Sequence, residues 1–316
     1  MTNKETADFL RQRDNFLIIN HCRPDGDAVG SAAALCLGLR RMGKQAVIWR
    51  NPQTTRRYAP YVAGMETEEV PQGATLVSVD MATENLLPLN GREFAGKIEL
   101  SIDHHVSNEG YAKHTNVQPQ CAACGELLLE LLKELGEISH EMANALYVAI
   151  STDTGCLRYS NVTAGTYRAV AELKALGADT YPINKVMFST KTFARLRLEA
   201  ALTESVEFYA DGLVGVCTMT NQMLDSLGAD TDDTDDISGF ARSIEGVEIA
   251  VMVQELREGG TKISLRTGED YNASEICKYL GGGGHKAAAG ATLPCGVEEA
   301  KQQVLGAISK YGVALS

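Results

Sequence analysis

Three short apolar runs, Phe16 to Asn20, Thr75 to Val79 and Ile98 to Ile102, are each followed at once by an acidic residue or a histidine. Runs this short that break off in polar side chains read as buried strands rather than helices. In an open α/β sheet, ligands bind at the carboxyl ends of the strands. Three strands with such endings predict one crevice that gathers His21, Asp25, Asp27, Asp80, Asp103, His104 and His105. The first run leads into Pro24-Asp25-Gly26-Asp27, a turn by composition, and then into small, helix-tolerant residues. The acidic pair therefore lies near a helix N-terminus, which tolerates negative charge. Asp-Gly-Asp by itself is also the composition of a plain polar turn.

Strands over Phe16–Asn20, Ala46–Trp49, Thr75–Val79 and Ile98–Ile102 alternate with helical patterns up to about residue 188. The helices are predicted over Thr6–Arg13, Ala28–Met42, Ala123–Leu135, His140–Thr152, Thr163–Leu176 and Tyr181–Phe188, with Gly43, Gly136 and Gly177 as terminators. The fold class is α/β, with an N-terminal domain over 1–190 whose largely parallel sheet is flanked by helices. A helical linker over 191–204, carried by Phe193–Leu202, joins it to a smaller mixed α+β domain over 205–316. That domain is predicted from hairpins at Asp211-Gly212 and Gly259-Gly260, with helices over Asn221–Leu227, Ile237–Ile244, Ser274–Leu280 and Val297–Ile308.

The net charge of -12, from 29 basic and 41 acidic residues, excludes a grip on long DNA or RNA that depends on lysines and arginines replacing counterions. It leaves room for a short phosphorylated substrate, because a bound cation inverts the local electrostatics of an acidic site. Asp230 to Asp236 reads as a solvated acidic loop, and Cys121-Ala122-Ala123-Cys124, a lone CxxC, as ordinary reduced cysteine. The first residues lack the apolar core of a signal peptide and no stretch approaches the length of a membrane span, so a cytoplasmic protein without a membrane partner is expected.

Carboxylates and imidazoles at one crevice suit a divalent cation such as manganese, magnesium or iron better than a thiolate zinc centre. The candidate ligands are His21, Asp25, Asp27, Asp80, His104 and Asp153, the last from Ser151-Thr152-Asp153-Thr154-Gly155 at a helix end. Carboxylates packed so closely repel one another unless cations neutralise them. Two ions sharing a bridging carboxylate meet that need and activate water against phosphorus.

The order of HxxPDxDxxG, an Asp ending a strand, Asp-His-His ending the next, and a later Ser-Thr-Asp-Thr-Gly resembles the DHH phosphoesterase superfamily along essentially the full length. Ser264-Leu265-Arg266-Thr267 followed by GGGGHKAAAG looks like its DHHA1-type substrate-binding domain. Within the superfamily the chain is most similar to bacterial nanoRNases, oligoribonucleases that also act as phosphatases on 3',5'-bisphosphonucleosides. The resemblance implies two Mn2+ per chain, with Mg2+ or another divalent ion as alternatives. His21 and Asp25 would bind the first, Asp27, His104 and Asp153 the second, and Asp80 both. Asp103 would orient a neighbouring histidine and His105 would face the scissile phosphate. Arg266, His285, Gly283 and Gly284 match the phosphate-binding positions, and Arg158 is a further candidate; a run of glycines is also simply a turn.

The activity implied is hydrolysis of very short single-stranded RNA from the 5' end and of 3'-phosphoadenosine 5'-phosphate, by a homodimer formed through the first domain. Hydrolysis of cyclic or linear dinucleotides derived from second messengers is the alternative within the same chemistry. A catalytically inactive nucleotide-binding module is the alternative from a different class.

Overall fold

In the computed structural model, which describes residues 1–315, the first compact unit covers 1–190 and the second begins at Lys191. The first unit runs α1 (Asn3–Arg11), β1 (Phe16–Ile19), α2 (Gly26–Arg41), β2 (Ala46–Trp49), α3 (Ala59–Val62), β3 (Glu66–Thr67), β4 (Thr75–Val79), β5 (Leu100–Asp103), β6 (His114–Val117), α4 (Cys124–Leu135), α5 (His140–Asp153), α6 (Ala164–Ala175) and α7 (Thr180–Asn184). Its sheet is all parallel, in the order β3-β2-β1-β4-β5-β6. β1 is buried on both faces: Phe16 and Ile18 join the core with α2, α4 and α5, while Leu17 and Ile19 join Trp49, Leu87 and Phe94 on the other side. That double burial explains why its sequence is continuously apolar rather than alternating.

Strands β3 and β6 have no apolar run to announce them. They are short, partly exposed edge strands whose pairing with β2 and β5 is non-local, so the alternation of the sequence passes over them.

The second unit continues with α8 (Phe193–Glu204), β7 (Glu207–Tyr209), β8 (Val214–Met219), α9 (Asn221–Leu227), β9 (Ile249–Glu255), β10 (Thr261–Thr267), α10 (Ala273–Lys278), β11 (Gly283–Gly284), β12 (Ala288–Leu293) and α11 (Val297–Tyr311). Its sheet is mixed, in the order β11-β12-β10-β9-β8-β7, with both expected hairpins present and β8 parallel to β9. Val214, Val216, Val251 and Leu265 face α10 and α11, whereas Cys217, Met219 and Met252 face α8 and α9. Helix α8, expected as a linker, buries Leu198 and Leu202 in this second unit.

Ile237–Ser243 forms 3-10 turns in place of the expected α-helix. The acidic segment is not wholly solvated either. Asp233 is buried, accepting from Thr192 Oγ1 at 2.5 Å and from the Asp230 N–H at 3.1 Å, while Arg195 donates to its carbonyl at 2.8 Å. All eight cysteines are free, and among the described residues no helix is long and apolar enough to cross a membrane.

Candidate metal centre

The strands that end in Asp or His are neighbours. β1, β4 and β5 lie side by side, and the sheet order reverses between β1 and β4, which opens a crevice at their carboxyl ends. His21 follows β1, Asp80 follows β4, and Asp103 closes β5. Asp25 caps α2, its Oδ1 accepting the Ala28 N–H at 3.0 Å, and Asp27 occupies the first turn. Asp153 is the last residue of α5. A Cβ on Gly26 would meet Thr152 Oγ1 at 2.4 Å, so only glycine lets the start of α2 abut the end of α5 and bring Asp25 and Asp27 beside Asp153.

Each histidine has one ring nitrogen committed. His21 Nδ1 lies 2.8 Å from the Cys22 carbonyl and His104 Nδ1 lies 3.2 Å from that of Cys121. A carbonyl only accepts, so both Nδ1 atoms carry the proton and Nε2 is the coordinating nitrogen of the neutral ring. His21 Nε2 lies 3.9 Å from Asp25 Oδ1 and 3.8 Å from Asp80 Oδ2. His104 Nε2 lies 3.7 Å from Asp27 Oδ2, 3.5 Å from Asp80 Oδ1 and 3.7 Å from Asp153 Oδ2. Three overlapping groups that could hold a cation follow, His21 with Asp25 and Asp80, Asp27 with His104 and Asp153, and Asp80 with His104 and His105; the ligand atoms of each lie within 4.8 Å of one another. Asp80 turns one oxygen to each of the first two groups.

Asp27 has a second task. Its Oδ2 accepts the Cys124 N–H at 2.6 Å, and its Oδ1 accepts the Gly125 N–H at 3.0 Å and the Ser31 hydroxyl at 2.9 Å. The carboxylate thus caps α4, whose own N-cap Ala123 has no side chain able to do so.

Burial, then the neighbouring carboxylates, push Asp80 up to about 8 and Asp153 up to about 7, and Asp27 rises well above its ordinary value for the same reasons. Burial opposes the charged form of His21 and His104, yet the facing carboxylates lift them to about 10 and about 9. Desolvation likewise opposes ionisation of Asp25, but the proximity of His21 pulls it down to about 2. Asp80 Oδ1, in a side chain only 3% exposed, accepts no hydrogen bond from any described residue. A buried carboxylate oxygen left without a donor is costly, and a cation would satisfy it. The donor set, imidazole nitrogens with carboxylate oxygens and no thiolate, fits manganese-type chemistry.

Asp103, fully buried, accepts His105 Nδ1–H at 2.7 Å and the backbone N–H of His104 at 2.8 Å. Despite the cost of burial, His105, through its side chain and its backbone N–H, and Asn108 hold the Asp103 carboxyl below the ordinary range. His21, Asp25, Asp80, His104, His105 and Asp153 line a cavity of ≈ 240 Å³ together with Leu86. Arg158 lies beyond it on a left-handed turn, Gly155, Cys156 and Leu157, all at positive φ, with its Nε donating to the Gly155 carbonyl at 2.6 Å.

The remaining expected residues belong to the second unit. Arg266 is on β10 opposite Ala288 of β12, and Gly283 and Gly284 form the exposed edge strand β11, followed by the exposed His285. Gly284 has φ 146° and a Cβ there would meet the Ala288 carbonyl at 2.6 Å, so strand pairing alone requires glycine at that position.

Sequence reasoning missed Asn108, which donates to Asp103 Oδ2 at 2.7 Å, and the apolar wall Leu86. The proximity of Asn108 to Asp-His-His was the available signal; nothing in the sequence marks Leu86.

Two family models match the chain: "DHH family, N-terminal domain" over residues 15–150 and "DHHA1 domain" over 214–312. A bifunctional oligoribonuclease and PAP phosphatase NrnA from Thermus thermophilus is 33% identical over 92% of this chain and 88% of its own length. A cyclic-di-AMP phosphodiesterase GdpP from Geobacillus thermodenitrificans is 27% identical over 96% of this chain, which spans only 48% of that relative. Among solved structures, an exopolyphosphatase-related protein from Bacteroides fragilis superposes with TM-score 0.87 at 23% identity, covering 98% of this chain and 96% of that one, and shows the same fold. Exonuclease RecJ bound to manganese superposes with TM-score 0.54 at 15% identity, over 100% of this chain and 95% of that one.

Proposed function

Since the chain belongs to the DHH family and is a metal-dependent phosphoesterase, we propose that it hydrolyses very short RNA from the 5' end and converts 3'-phosphoadenosine 5'-phosphate to AMP and phosphate. The observation that carries this reading is the pair of His and Asp groups that meet at Asp80, whose Oδ1 is buried without a donor. His21 and Asp25 would hold one Mn2+, Asp27, His104 and Asp153 a second, with Asp80 available to both. When bound, the cations supply neutralising charge and water activation at the phosphorus.

The chain's own residues do the rest. The Cys22 and Cys121 carbonyls fix the ring orientation of His21 and His104. Asp103 accepts His105 Nδ1–H, which directs the opposite ring nitrogen away from Asp103; carrying a proton as well, that Nε2–H would donate to the scissile phosphate. The protons that the crowded Asp80, Asp153, His21 and His104 retain without metal are released when cations bind. In the second unit, Arg266 offers a planar donor fork and His285 a ring N–H to a substrate phosphate.

The test is manganese-dependent turnover measured side by side on pApA, a labelled RNA pentamer, 3'-phosphoadenosine 5'-phosphate and cyclic di-AMP. Cleavage of the first three with the cyclic compound untouched supports the proposal. Preference for cyclic di-AMP moves the chain to the chemistry named for its GdpP relative, and tight nucleotide binding without turnover in metal-loaded protein makes it a binding module.

A further inference from the structure

Asp80 lies in the left-handed region, with φ 53°, a backbone uncommon outside glycine that aspartate tolerates better than most residues. Its own N–H is held by the Ile102 carbonyl at 2.9 Å. On its other side, the carbonyl of Met81 accepts from the Tyr111 hydroxyl at 2.8 Å, and Asn108 Nδ2 approaches the same carbonyl at 3.4 Å. The Asp80 turn is therefore clamped to the loop that follows Asp103-His104-His105.

Tyr111 is itself held. Ser78 of β4 and Ser101 of β5 are register partners, both fully buried in otherwise apolar strands. A phenol has one proton, and the Met81 carbonyl can only accept. The Tyr111 proton is thus committed to Met81, and Ser78 Oγ at 2.7 Å and Ser101 Oγ at 3.3 Å both donate to the phenol oxygen. Two strands and one loop converge on a single oxygen whose only donation supports the residue next to Asp80.

We infer that Tyr111 is a positioning residue: through the Met81 carbonyl it holds the left-handed Asp80 turn in the orientation that turns one carboxylate oxygen toward His21 and the other toward His104. This rests on the reading of Asp80 as the shared cation ligand. The serine pair has no other evident purpose in a strand core, and the phenol does not reach the cavity wall formed by the cation-binding residues.

Removing the hydroxyl with Tyr111→Phe frees the turn, and Mn2+ affinity of the metal-free protein, followed by the electron paramagnetic resonance signal of free Mn2+, is expected to weaken about tenfold, with kcat on pApA falling about as far and KM changing little. Tyr111→Phe alone also leaves two buried serines without an acceptor, which destabilises the strands. The triple variant Ser78→Ala, Ser101→Ala, Tyr111→Phe removes that problem, so its thermal midpoint returns toward the parent while the Mn2+ defect persists. Ser101→Ala alone keeps the Tyr111–Met81 bond and leaves Mn2+ affinity unchanged. A triple variant that folds and binds Mn2+ within twofold of the parent overturns the inference. Asp80→Asn separates the two readings: if it too leaves Mn2+ binding intact, the cation assignment fails; if it weakens binding while the triple variant does not, only the role of Tyr111 fails.

Discussion

At the carboxyl edge of the first sheet the ionisable groups face one another in a cluster where Asp27, Asp80 and Asp103 are buried; at the edge of the second sheet Gly283, Gly284 and His285 are exposed, with β12 between them and the arginine-bearing β10. The two arrangements carry different costs. A buried carboxylate cluster opposes folding until something neutralises it, so Asp27 is tied to the start of α4, Asp103 to His105 and Asn108, and His21 and His104 to carbonyls, while Asp80 Oδ1 is left without a donor. Exposed groups lose little on staying hydrated and so contribute to affinity rather than to a pre-organised field. On the proposed function, changes in the first unit are expected to act on kcat and changes in the second on KM.

The largest effect expected is that of Asp80→Ala. Steady-state kinetics should show kcat falling by about a thousandfold or more, with circular dichroism unchanged; retained turnover by pure protein would falsify the shared-ligand assignment. His105→Asn follows, with a loss of about a hundredfold in kcat/KM. It keeps a donor toward Asp103 but loses the opposite ring nitrogen, so an effect confined to KM would move His105 out of the chemistry and erase the contrast between the units.

Arg266→Lys sharpens the comparison from the other side. Losing the donor fork should raise KM for phosphorylated substrates about tenfold, with kcat nearly constant; a collapse of kcat instead would mean that the second unit shapes the transition state.

The metal-free protein offers a pH test. Asp80 and Asp153 hold a proton when folded up to about 8 and about 7, whereas the unfolded groups release it near 3.8. His21 and His104 hold theirs to about 10 and about 9, against 6.5 unfolded. In both cases the folded state binds more protons across the interval, so stability falls as pH rises. Melting temperatures of chelator-treated protein should drop steadily from pH 6 to pH 9, and added Mn2+ should flatten that slope. A slope that is flat or rising without metal would show that the cluster is not charged as described. The smallest effect is that of Gly284→Ala, which trades an exposed edge for a clash with the Ala288 carbonyl and should cost about 1 kcal/mol or slightly more in denaturant unfolding, with the first unit's Mn2+ affinity untouched.

The side chains at the crevice were legible because each ends an apolar run or follows one closely. His21, Asp80, Asp103, His104 and His105 needed only the strand boundaries, and those fall within a residue or two of their observed positions. Asp25 was legible as a turn acid, but its capping of α2 and the capping of α4 by Asp27 were not equally so, since the latter joins residues 97 and 98 apart in sequence. The edge strands β3 and β6 escaped because a pairing partner, not an apolar pattern, makes them strands. The same holds for β12, whose Ala-Ala-Gly-Ala-Thr-Leu has little bulk of its own and acquires its conformation between β10 and β11.

Residue chemistry and order by themselves determined that this chain gathers carboxylates and imidazoles at strand ends and follows them with a glycine-rich, arginine-bearing domain. Those are local properties, set by side-chain type and by the period of burial along a strand. Only the tertiary structure decided which atoms face which. The proton on His104 depends on the Cys121 carbonyl from a separate loop, and the direction of Asp80 depends on a left-handed turn held from β5 and Tyr111. Hydrogen bonds and desolvation act over a few ångströms between residues far apart in the chain, and that distance exists only after folding.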